Sequence, residues 1–388
     1  MWLAALLHNS GEAMRKVLPL FSTKGGLVLL ALAFVLTLAG LHSGVNLLYL
    51  LAGAAFSLVL VSLVLASFAV AGLRIRRHLP AEATAGSSFP VGLEVSARLP
   101  GAGCLMRVED EVWGTRGQHT FTIYIPSLGP ARHLTTRYEA TLPIRGEYRF
   151  RRTRCISGFP FGLAQASTVT EMEGRLLVYP RRGRLLQPLP VVVGFAERVT
   201  QHAPALGMAG DELRSVREFR EGDNPRRIHW RTSAKMARLY VREMEPEREP
   251  AVAIVLDTYV PSGAAPLLEE LLERAVSFAA TLTEETLRLG GAVSLVALTP
   301  EPVALVKATG RAGRRRVLEC LARLQPTRQA NYGLLRAKAK PVLALARAAV
   351  AIFLTRENAR RCVPLSAAGR VRRLVVEDAA FRMFFRWD

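Results

Sequence analysis

Lysine is scarce in this basic sequence of 388 residues. Six of its 52 basic residues are lysines and the other 46 are arginines, and the formal net charge is +20. An arginine bias of this kind, together with abundant alanine, reflects a GC-rich genome more often than a nucleic-acid site. The sequence has no basic face interleaved with aromatic residues and no known nucleic-acid motif. We therefore expect no nucleic-acid partner, although so basic a domain is attracted to anionic membranes and acidic partners.

Cysteine is also scarce, and its placement excludes several classes of site. The four cysteines, Cys104, Cys155, Cys320 and Cys362, form no CxxC or other metal-ligand spacing. A disulfide framework is not expected in a chain of this length, and reduced, mostly buried thiols suit a cytoplasmic compartment. The sequence lacks a serine nucleophile elbow as well. Thiol-based metal centres and serine-hydrolase chemistry are therefore not expected.

Long hydrophobic runs are present near the start of the chain. Residues 27–41 and 45–73 carry no charged side chain, and a helix needs roughly 20 such residues to cross about 30 Å of hydrocarbon. We predict that residues 25–73 form a transmembrane helical hairpin in the lipid bilayer. Basic residues flank the hairpin and are absent from its turn, so the positive-inside rule places both termini and the soluble domains in the cytoplasm, at a bacterial inner membrane. The alternative is a buried hairpin of a soluble domain.

Residues 82–180 show the two-residue period of β-strands. Partly alternating segments occupy 89–99, 105–113, 119–125, 132–142 and 147–156, with turn residues between them. Short strands at this spacing predict an antiparallel β-sandwich of immunoglobulin-like size, with its core between two sheets. No cluster of titratable residues marks this segment, which indicates a spacer or interaction module. The phenylalanines of residues 157–163 are predicted to plug one end of the sandwich.

The most distinctive stretch runs from Arg217 to Glu243, and we call residues 213–243 the signature motif. Turn residues at 221–225 are predicted to cap a helix that begins at Pro225 and ends near Met236. In the structural interpretation, bidentate ion pairs among Arg217, Glu218, Asp223 and Arg226 lock the motif against the next domain. His229, which stands beside Trp230 in the sequence, is then a packed, hydrogen-bonded residue. In the competing interpretation, His229 and Asp223 form a proton-transfer or metal pair. The candidate structural or partner-binding residues are Arg217, Glu218, Arg220, Gly222, Asp223, Arg226, Ile228, His229, Trp230, Ser233 and Ala234.

The motif resembles the signature of the bacterial domain of unknown function 58 family. The order R-E-F-R-E-G-D-N-P-R-R-I-H-W-R-T-S-A at residues 217–234, followed by L-Y-V-R-E at 239–243, carries the resemblance. Residues 40–51, 145–148, 161–162 and 178–180 fit the family as well. The resemblance implies a membrane-anchored protein with a von Willebrand factor A-like domain. It also implies an association with MoxR-type AAA+ ATPases and transglutaminase-like membrane proteins.

Residues 251–388 alternate between strand and helix patterns. The apolar run 251–256 predicts a buried parallel strand, residues 264–289 form an amphipathic helix, and further strands are expected near 292–298, 303–306, 349–354 and 373–376. A second helix is expected at 311–324, and a third at 336–347 with Pro341 interrupting it. This order predicts a doubly wound α/β sheet, whose ligands bind at the carboxyl ends of the strands.

Asp257 follows the first of these strands. The von Willebrand A resemblance implies an Asp-x-Ser-x-Ser loop for Mg²⁺ at this place, but Tyr259 and Pro261 occupy the two serine positions. Retained Mg²⁺ binding is therefore one alternative. The other is that Asp257 caps a turn and pairs with an arginine of the signature motif.

The predicted organisation is multi-domain. It comprises an N-terminal segment 1–24, a transmembrane α-hairpin 25–73, a β-sandwich 82–180, a linker 181–250 that contains the motif, and a von Willebrand A-like α/β domain 251–388. The predicted function is that of a non-enzymatic membrane-anchored cytoplasmic adaptor. Its α/β domain, together with the signature motif, binds a protein partner, for which the family association indicates a MoxR-type AAA+ ATPase. No cofactor is expected. The alternative is a metal-dependent hydrolase-like enzyme that uses Asp223, His229 and Asp257.

Overall fold

The computed structural model describes most of the chain. The described residues are 17–20, 23–99, 102–115, 117–129, 133–186, 213–220, 223, 225, 228–244, 251–263, 266–300, 302–346, 348–362 and 371–387. They divide into two compact units, Met1–Arg181 and Arg182–Asp388. Most of the predicted N-terminal segment 1–24 and residues 187–212 and 245–250 of the predicted linker lie outside the described residues.

The first unit begins with two helices and continues with strands. The helices are α1 (Lys24–Ser43) and α2 (Asn46–Val70). The strands are β1 (Val17–Leu20), β2 (Leu73–His78), β3 (Ala83–Thr84), β4 (Ser88–Ala97), β5 (Cys104–Gly114), β6 (Gly117–Ser127), β7 (His133–Thr141), β8 (Gly146–Ser157) and β9 (Gln165–Tyr179).

Helices α1 and α2 pack against each other as a hairpin. Gly44 ends α1 in the left-handed conformation (φ 69°), which a residue without a Cβ adopts at low cost. A Cβ added to the buried Gly40 would lie 3.2 Å from the ring of Tyr49 on α2, so the small residue lets the two helices approach closely. Both helices are long and apolar enough to cross a membrane, judged by length and composition.

Two sheets follow the hairpin. One has the order β1-β9-β8-β5-β6, with β3 added to β9, and the other has the order β2-β4-β7. All strand pairs are antiparallel except β3 with β9. Alternating side chains of β4 and β5, such as Leu93, Val95, Met106 and Val108, fill the core between the sheets. The five predicted strands correspond to β4–β8, whereas β2 and β9 are additional and extend the sheets.

Helix α2 contributes directly to this core. Ala66 and Val70 in its last two turns are buried in the same cluster as Leu93 and Met106. Strand β2 begins three residues after the helix ends, at Leu73, which lies before the predicted start of the sandwich at residue 82. The apolar run therefore serves the sandwich as well as the hairpin.

A buried ion pair joins the two sheets. Arg77 on β2 donates from Nε to Oδ2 of Asp110 on β5 (2.9 Å) and from Nη2 to Oδ1. The hydroxyls of Tyr138 (2.7 Å) and Thr153 (2.9 Å) also donate to this carboxylate, and Arg77 Nη1 donates to the Met172 carbonyl (3.1 Å). The expectation that the sandwich has no titratable cluster is wrong, because the partners come from strands far apart in sequence.

The second unit combines a mostly parallel sheet with short ribbons. Its strands are β10 (Gly183–Leu185), β11 (Leu213–Glu218), β12 (Tyr240–Met244), β13 (Ala251–Leu256), β14 (Ala292–Ala297), β15 (Val303–Ala308), β16 (Ala348–Phe353), β17 (Val371–Val375) and β18 (Phe385–Trp387). Its helices are α3 (Trp230–Met236), α4 (Pro266–Arg288), α5 (Gly310–Arg323), α6 (Tyr332–Leu345), α7 (Arg356–Arg361) and α8 (Ala379–Phe384).

The main sheet has the order β15-β14-β13-β16-β17, with only β15 antiparallel to its neighbour. Ala253 and Val255 of β13 pack with Leu335 and Ala339 of α6. The alternate β13 residues are also buried, and α4 packs against β13 and β14, so helices cover both faces. This arrangement agrees with the predicted strand–helix alternation.

Helix α6 differs from its prediction. It begins at Tyr332, earlier than expected, because the Asn331 side chain caps it by accepting from the N–H of Leu334 (3.4 Å). It also continues through Pro341 to Leu345, so the predicted interruption is wrong.

Candidate functional site

The signature motif forms a two-stranded antiparallel ribbon with a short helix between its strands. Strands β11 and β12 pair with Arg217 opposite Val241 and Glu218 opposite Tyr240. Ile228 makes an isolated bridge to Val241, and both side chains are buried. Strands β11 and β12 are therefore neighbours, and the segment between them folds back onto the ribbon.

Asp223 fixes the start of this returning segment. Arg217 donates from Nη1 to Oδ2 (2.7 Å) and from Nη2 to Oδ1 (2.6 Å) of its carboxylate, and the backbone N–H of Arg220 donates to Oδ2 (2.8 Å). These contacts, the Arg217 hydrogen bond above all, lower the pKa of Asp223 to about 2. A carboxylate held in this way is a poor proton acceptor near neutral pH. The predicted ion pair of Arg217 with Asp223 is present.

The remaining candidate residues in this part of the motif are Glu218, Arg220, Gly222 and Arg226. Glu218 pairs with Arg238 (3.1 Å), and both side chains are exposed. Gly222 and Arg226 lie outside the described residues. Arg220 contributes to the site through its backbone.

His229 caps helix α3. Its ring Nδ1 accepts a hydrogen bond from the backbone N–H of Thr232 (3.2 Å). The backbone N–H of His229 donates to the Tyr240 carbonyl (2.8 Å). The Ser233 hydroxyl donates to the His229 carbonyl (3.1 Å) and accepts from the N–H of Tyr240 (2.9 Å). The α-helix therefore begins at Trp230, and the predicted start at Pro225 is wrong because His229 provides the cap.

The outer side of α3 carries exposed apolar side chains. Trp230 is 68% exposed, Met236 is 56% exposed, and Leu239 just after the helix is 46% exposed. Ala234 is exposed as well. The Trp230 side chain therefore lies largely at the surface, whereas His229 is half-buried and hydrogen-bonded. The motif is thus held by internal hydrogen bonds and presents a tryptophan at its surface.

Asp257 lies at a different place in the second unit, at the carboxyl end of β13. The strands β14 and β16 lie on either side of β13, and the chain leaves β13 for β14 on one side and later returns on the other through β16. The carboxyl edge between β13 and β16 is thus the point where the strand order reverses, which is the usual place for a ligand in an open α/β sheet.

Four donors surround the Asp257 carboxylate, which is 1% exposed. Asn358 Nδ2 donates to Oδ2 (2.7 Å), the Tyr259 N–H to Oδ1 (3.0 Å), and the Tyr332 hydroxyl and the Leu354 N–H lie at 3.4 Å. Burial raises the pKa of the Asp257 carboxyl to about 6, although these hydrogen bonds oppose that rise. Asp257 caps a turn as predicted, but its partners among the described residues are neutral groups and not an arginine of the motif.

The donor set around Asp257 does not fit Mg²⁺. This cation requires oxygen ligands in near-octahedral geometry, whereas the neighbours of Asp257 point N–H and O–H groups at its oxygens. Thr258 directs its hydroxyl to the Leu298 carbonyl, and Tyr259 and Pro261 occupy the two serine positions. Within the described part of the chain, no group of three or more His, Cys, Asp or Glu side chains is arranged to hold a metal ion.

The sequence did not reveal Tyr332 and Asn358. Both reach Asp257 from more than 70 positions further along the chain. Asn358 follows the end of β16 closely. The sequence could have indicated it, because residues that face a ligand often follow the ends of neighbouring parallel strands. Tyr332 opens a helix on one face of the sheet and carries no comparable signal.

Comparison with known proteins agrees with the resemblance of the motif. The family described as "Protein of unknown function DUF58" matches residues 215–374, from β11 to β17. The segment matched to that family excludes the hairpin and the sandwich. A curated relative, "Uncharacterized protein YeaD" of Bacillus subtilis (strain 168), is 25% identical over 179 residues, which are 44% of this chain and 40% of the relative. The chain thus aligns with less than half the length of that relative.

Proposed function

We propose that this chain is a membrane-anchored adaptor that binds a protein partner through the exposed side of α3. The observation that carries this proposal is the exposure of Trp230 on a motif held by the Arg217–Asp223 pair and by the His229 and Ser233 hydrogen bonds. Tryptophan is enriched among the residues that dominate the binding energy of protein interfaces. The contacts do not favour the hydrolase alternative, since Asp223, His229 and Asp257 have separate sets of hydrogen-bond partners.

The anchor in this proposal is the α1–α2 hairpin. Large side chains on both helices, such as Leu27, Val28, Phe34 and Leu50, are more than half exposed, which suits an apolar surrounding. Lys24 is the first residue of α1, exposed Arg74 and Arg76 follow α2, and residues 44–45 between the helices carry no lysine or arginine. The positive-inside rule then orients both soluble units toward the cytoplasm of a bacterial cell, with two crossings of the inner membrane.

The finer fold likenesses are part of the same proposal. An antiparallel sandwich with a packed core supports an immunoglobulin-like spacer. In the second unit, five strands in the order β15-β14-β13-β16-β17 with one antiparallel edge support a doubly wound, von Willebrand A-like domain. Because the donor set at Asp257 does not fit Mg²⁺, partner binding in this domain is assigned to the motif and not to a metal site.

The partner that we propose is a MoxR-type AAA+ ATPase, on the strength of the family association. The test is co-purification of the detergent-solubilised full chain with the ATPase encoded nearest to its gene. Replacing Trp230 with Ala is expected to weaken binding about tenfold or more, as for a hot-spot tryptophan. The matched control is Trp113→Ala, which removes another exposed tryptophan, on β5. Equal retention of the ATPase by both variants, or no binding by the parent chain, contradicts the proposal.

A further inference from the structure

The loop between β8 and β9 is fixed against both helices of the hairpin. The Thr23 hydroxyl, at the start of α1, donates to the carbonyls of Gly162 (2.6 Å) and Leu163 (3.0 Å). The N–H of Ala164 donates to Oγ of the fully buried Ser62 on α2 (3.3 Å). A Cβ at Gly26 would lie 2.0 Å from the Leu163 carbonyl, so α1 and this loop are in direct backbone contact.

Helix geometry gives the position of this loop along the hairpin. Gly26 lies 18 positions before the turn residue Gly44, and Ser62 lies 18 positions after it. At 1.5 Å per residue both contacts are about 27 Å from the turn. The hydrocarbon core of a bilayer is about 30 Å thick. If the hairpin crosses the membrane, the loop therefore lies where the hydrocarbon ends and the headgroups begin.

The sandwich is held at this level without a flexible linker. Ala66 and Val70 of α2 lie in its core, and the N–H of Gly103, just before β5, donates to the Ala69 carbonyl (2.7 Å). The starts of β5 and β9 and the ends of β6 and β8 all lie at this end of the six-stranded sheet, because these strands are antiparallel. We call this the helix-proximal end.

The helix-proximal end exposes large apolar and aromatic side chains. Phe161 in the loop is 60% exposed, Tyr124 near the end of β6 is 73% exposed, and Leu105 near the start of β5 is 54% exposed. The expectation that both phenylalanines of this loop plug the sandwich is therefore wrong for Phe161. An open groove of about 290 Å³ between the strand ends is lined by Leu105, Met106, Tyr124, Ile125, Pro126 and Ile156, among others.

We propose that the helix-proximal end lies in the headgroup region of the membrane, with Phe161, Tyr124 and Leu105 in contact with phospholipid. This inference rests on the proposed membrane anchoring and adds a second, peripheral contact made by the sandwich. Aromatic side chains are enriched at this depth because they present an apolar ring, and in tyrosine a polar tip, to a mixed environment. The sandwich then contacts the membrane surface directly, and the end of the sandwich far from the helices lies at a fixed distance from that surface.

The chain contains a matched control position. Trp113 is near the other end of β5, eight residues after Leu105 and about 27 Å away along the strand. Its side chain is 45% exposed and lies on the same outward-facing side of the strand as Leu105. It is an exposed aromatic residue on the same sheet that the proposal places away from the lipid.

The experiment incorporates the photo-crosslinker benzoylphenylalanine into the full chain at position 161, 124 or 113. Each variant is irradiated in phospholipid nanodiscs and also in native membranes, and adducts are identified by mass spectrometry. We expect phospholipid adducts at positions 161 and 124 and none at 113. Adducts to another protein at 161 and 124, or equal lipid adducts at all three positions, overturn the inference.

Extraction with alkaline carbonate separates this inference from the proposed anchoring. If the parent chain stays in the membrane pellet and positions 161 and 124 give no lipid adduct, the hairpin anchors the protein but the sandwich does not touch the membrane. If carbonate releases the parent chain, the anchoring fails, and the inference that rests on it fails as well.

Discussion

Asp110 in the sandwich and Asp257 at the edge of the α/β sheet are both fully buried carboxylates, but their partners differ in charge. Asp110 accepts hydrogen bonds from the Arg77 guanidinium and from two hydroxyls. Asp257 accepts only from neutral groups among the described residues. A cation balances the charge of the Asp110 carboxylate, whereas neutral dipoles surround the Asp257 carboxylate. Burial raises the pKa of Asp257 to about 6.

The difference shows what each carboxylate contributes to its unit. The Arg77–Asp110 pair links β2, which follows helix α2, to β5 in the opposite sheet, so it helps to fix the position of the sandwich relative to the hairpin. The Asp257 site draws together the ends of β13 and β16 and the helices α6 and α7. We therefore expect a large loss of stability when the Arg77–Asp110 pair is broken. We expect the stability contributed by the Asp257 site to depend on pH.

The largest effect is expected for Arg77→Met. This change leaves Asp110 buried without its cation, and breaking a buried ion pair in this way costs about 3–5 kcal/mol of unfolding free energy. Chemical denaturation of the detergent-solubilised chain measures this loss, and hydrogen exchange of the β5 peptide locates it in the sandwich.

Two further variants make this test specific. Arg76→Met changes the exposed neighbour on the same strand and is expected to have little effect. The double variant Arg77→Met with Asp110→Asn removes both charges, keeps an acceptor for Tyr138 and Thr153, and is expected to recover part of the loss. A loss for Arg77→Met no larger than that for Arg76→Met contradicts the role of the buried pair.

The second effect is a pH dependence that comes from Asp257. Its pKa is about 6 in the folded chain, against an ordinary value of 3.8, so the folded state binds this proton more tightly than the unfolded state. The stabilisation is complete below about pH 4 and is lost as the pH rises through about 6. One pKa unit corresponds to about 1.4 kcal/mol, so the loss is about 3 kcal/mol.

Asp257→Asn isolates this contribution because asparagine does not titrate. The unfolding free energy of the parent chain, measured from pH 4 to pH 7, is expected to fall more steeply than that of the variant. The baseline of the variant is lower at every pH, because its amide N–H₂ faces groups that are themselves donors, so the slopes are compared and not the absolute values. Parallel slopes contradict a raised pKa at Asp257.

The sequence predicted most of the local structure of both units. Alternating segments predicted β4–β8, continuous apolar runs predicted α1, α2, β13 and β14, and the amphipathic pattern predicted α4. These patterns are periodic over a short window, and each element buries the face that its own sequence makes apolar. Strand β2 was missed because it begins three residues after an apolar helix, so its start is hidden in the end of a longer run.

The sites were less predictable because their members are distant in sequence. Asp257 and the Arg217–Asp223 pair were found, since one follows a strand and the other is local. Arg77 with Asp110, and Tyr332 and Asn358 with Asp257, come together only in the folded chain. The exposure of Trp230 was also not predictable, because it depends on His229 starting the helix and thereby turning Trp230 outward. Local turn chemistry at residues 221–225 favoured a different start.

The smallest effect is expected at the surface pair of Arg217 and Asp223, and its sign is opposite to that of Asp257. Hydrogen bonds from Arg217 lower the pKa of Asp223 to about 2, so this stabilisation is present above pH 3.8 and is lost as the pH falls through about 2. Arg217→Gln is expected to shift acid unfolding of the second unit to higher pH.

Because Arg217 is 37% exposed, salt at about 1 M should remove most of the shift, whereas the loss of stability caused by Arg77→Met should persist. Arg238→Gln, which breaks the more exposed pair with Glu218, serves as the control. A shift that salt leaves unchanged would mean that the motif pair is buried as Asp110 is, and that the contrast between the two arginine–aspartate pairs does not hold.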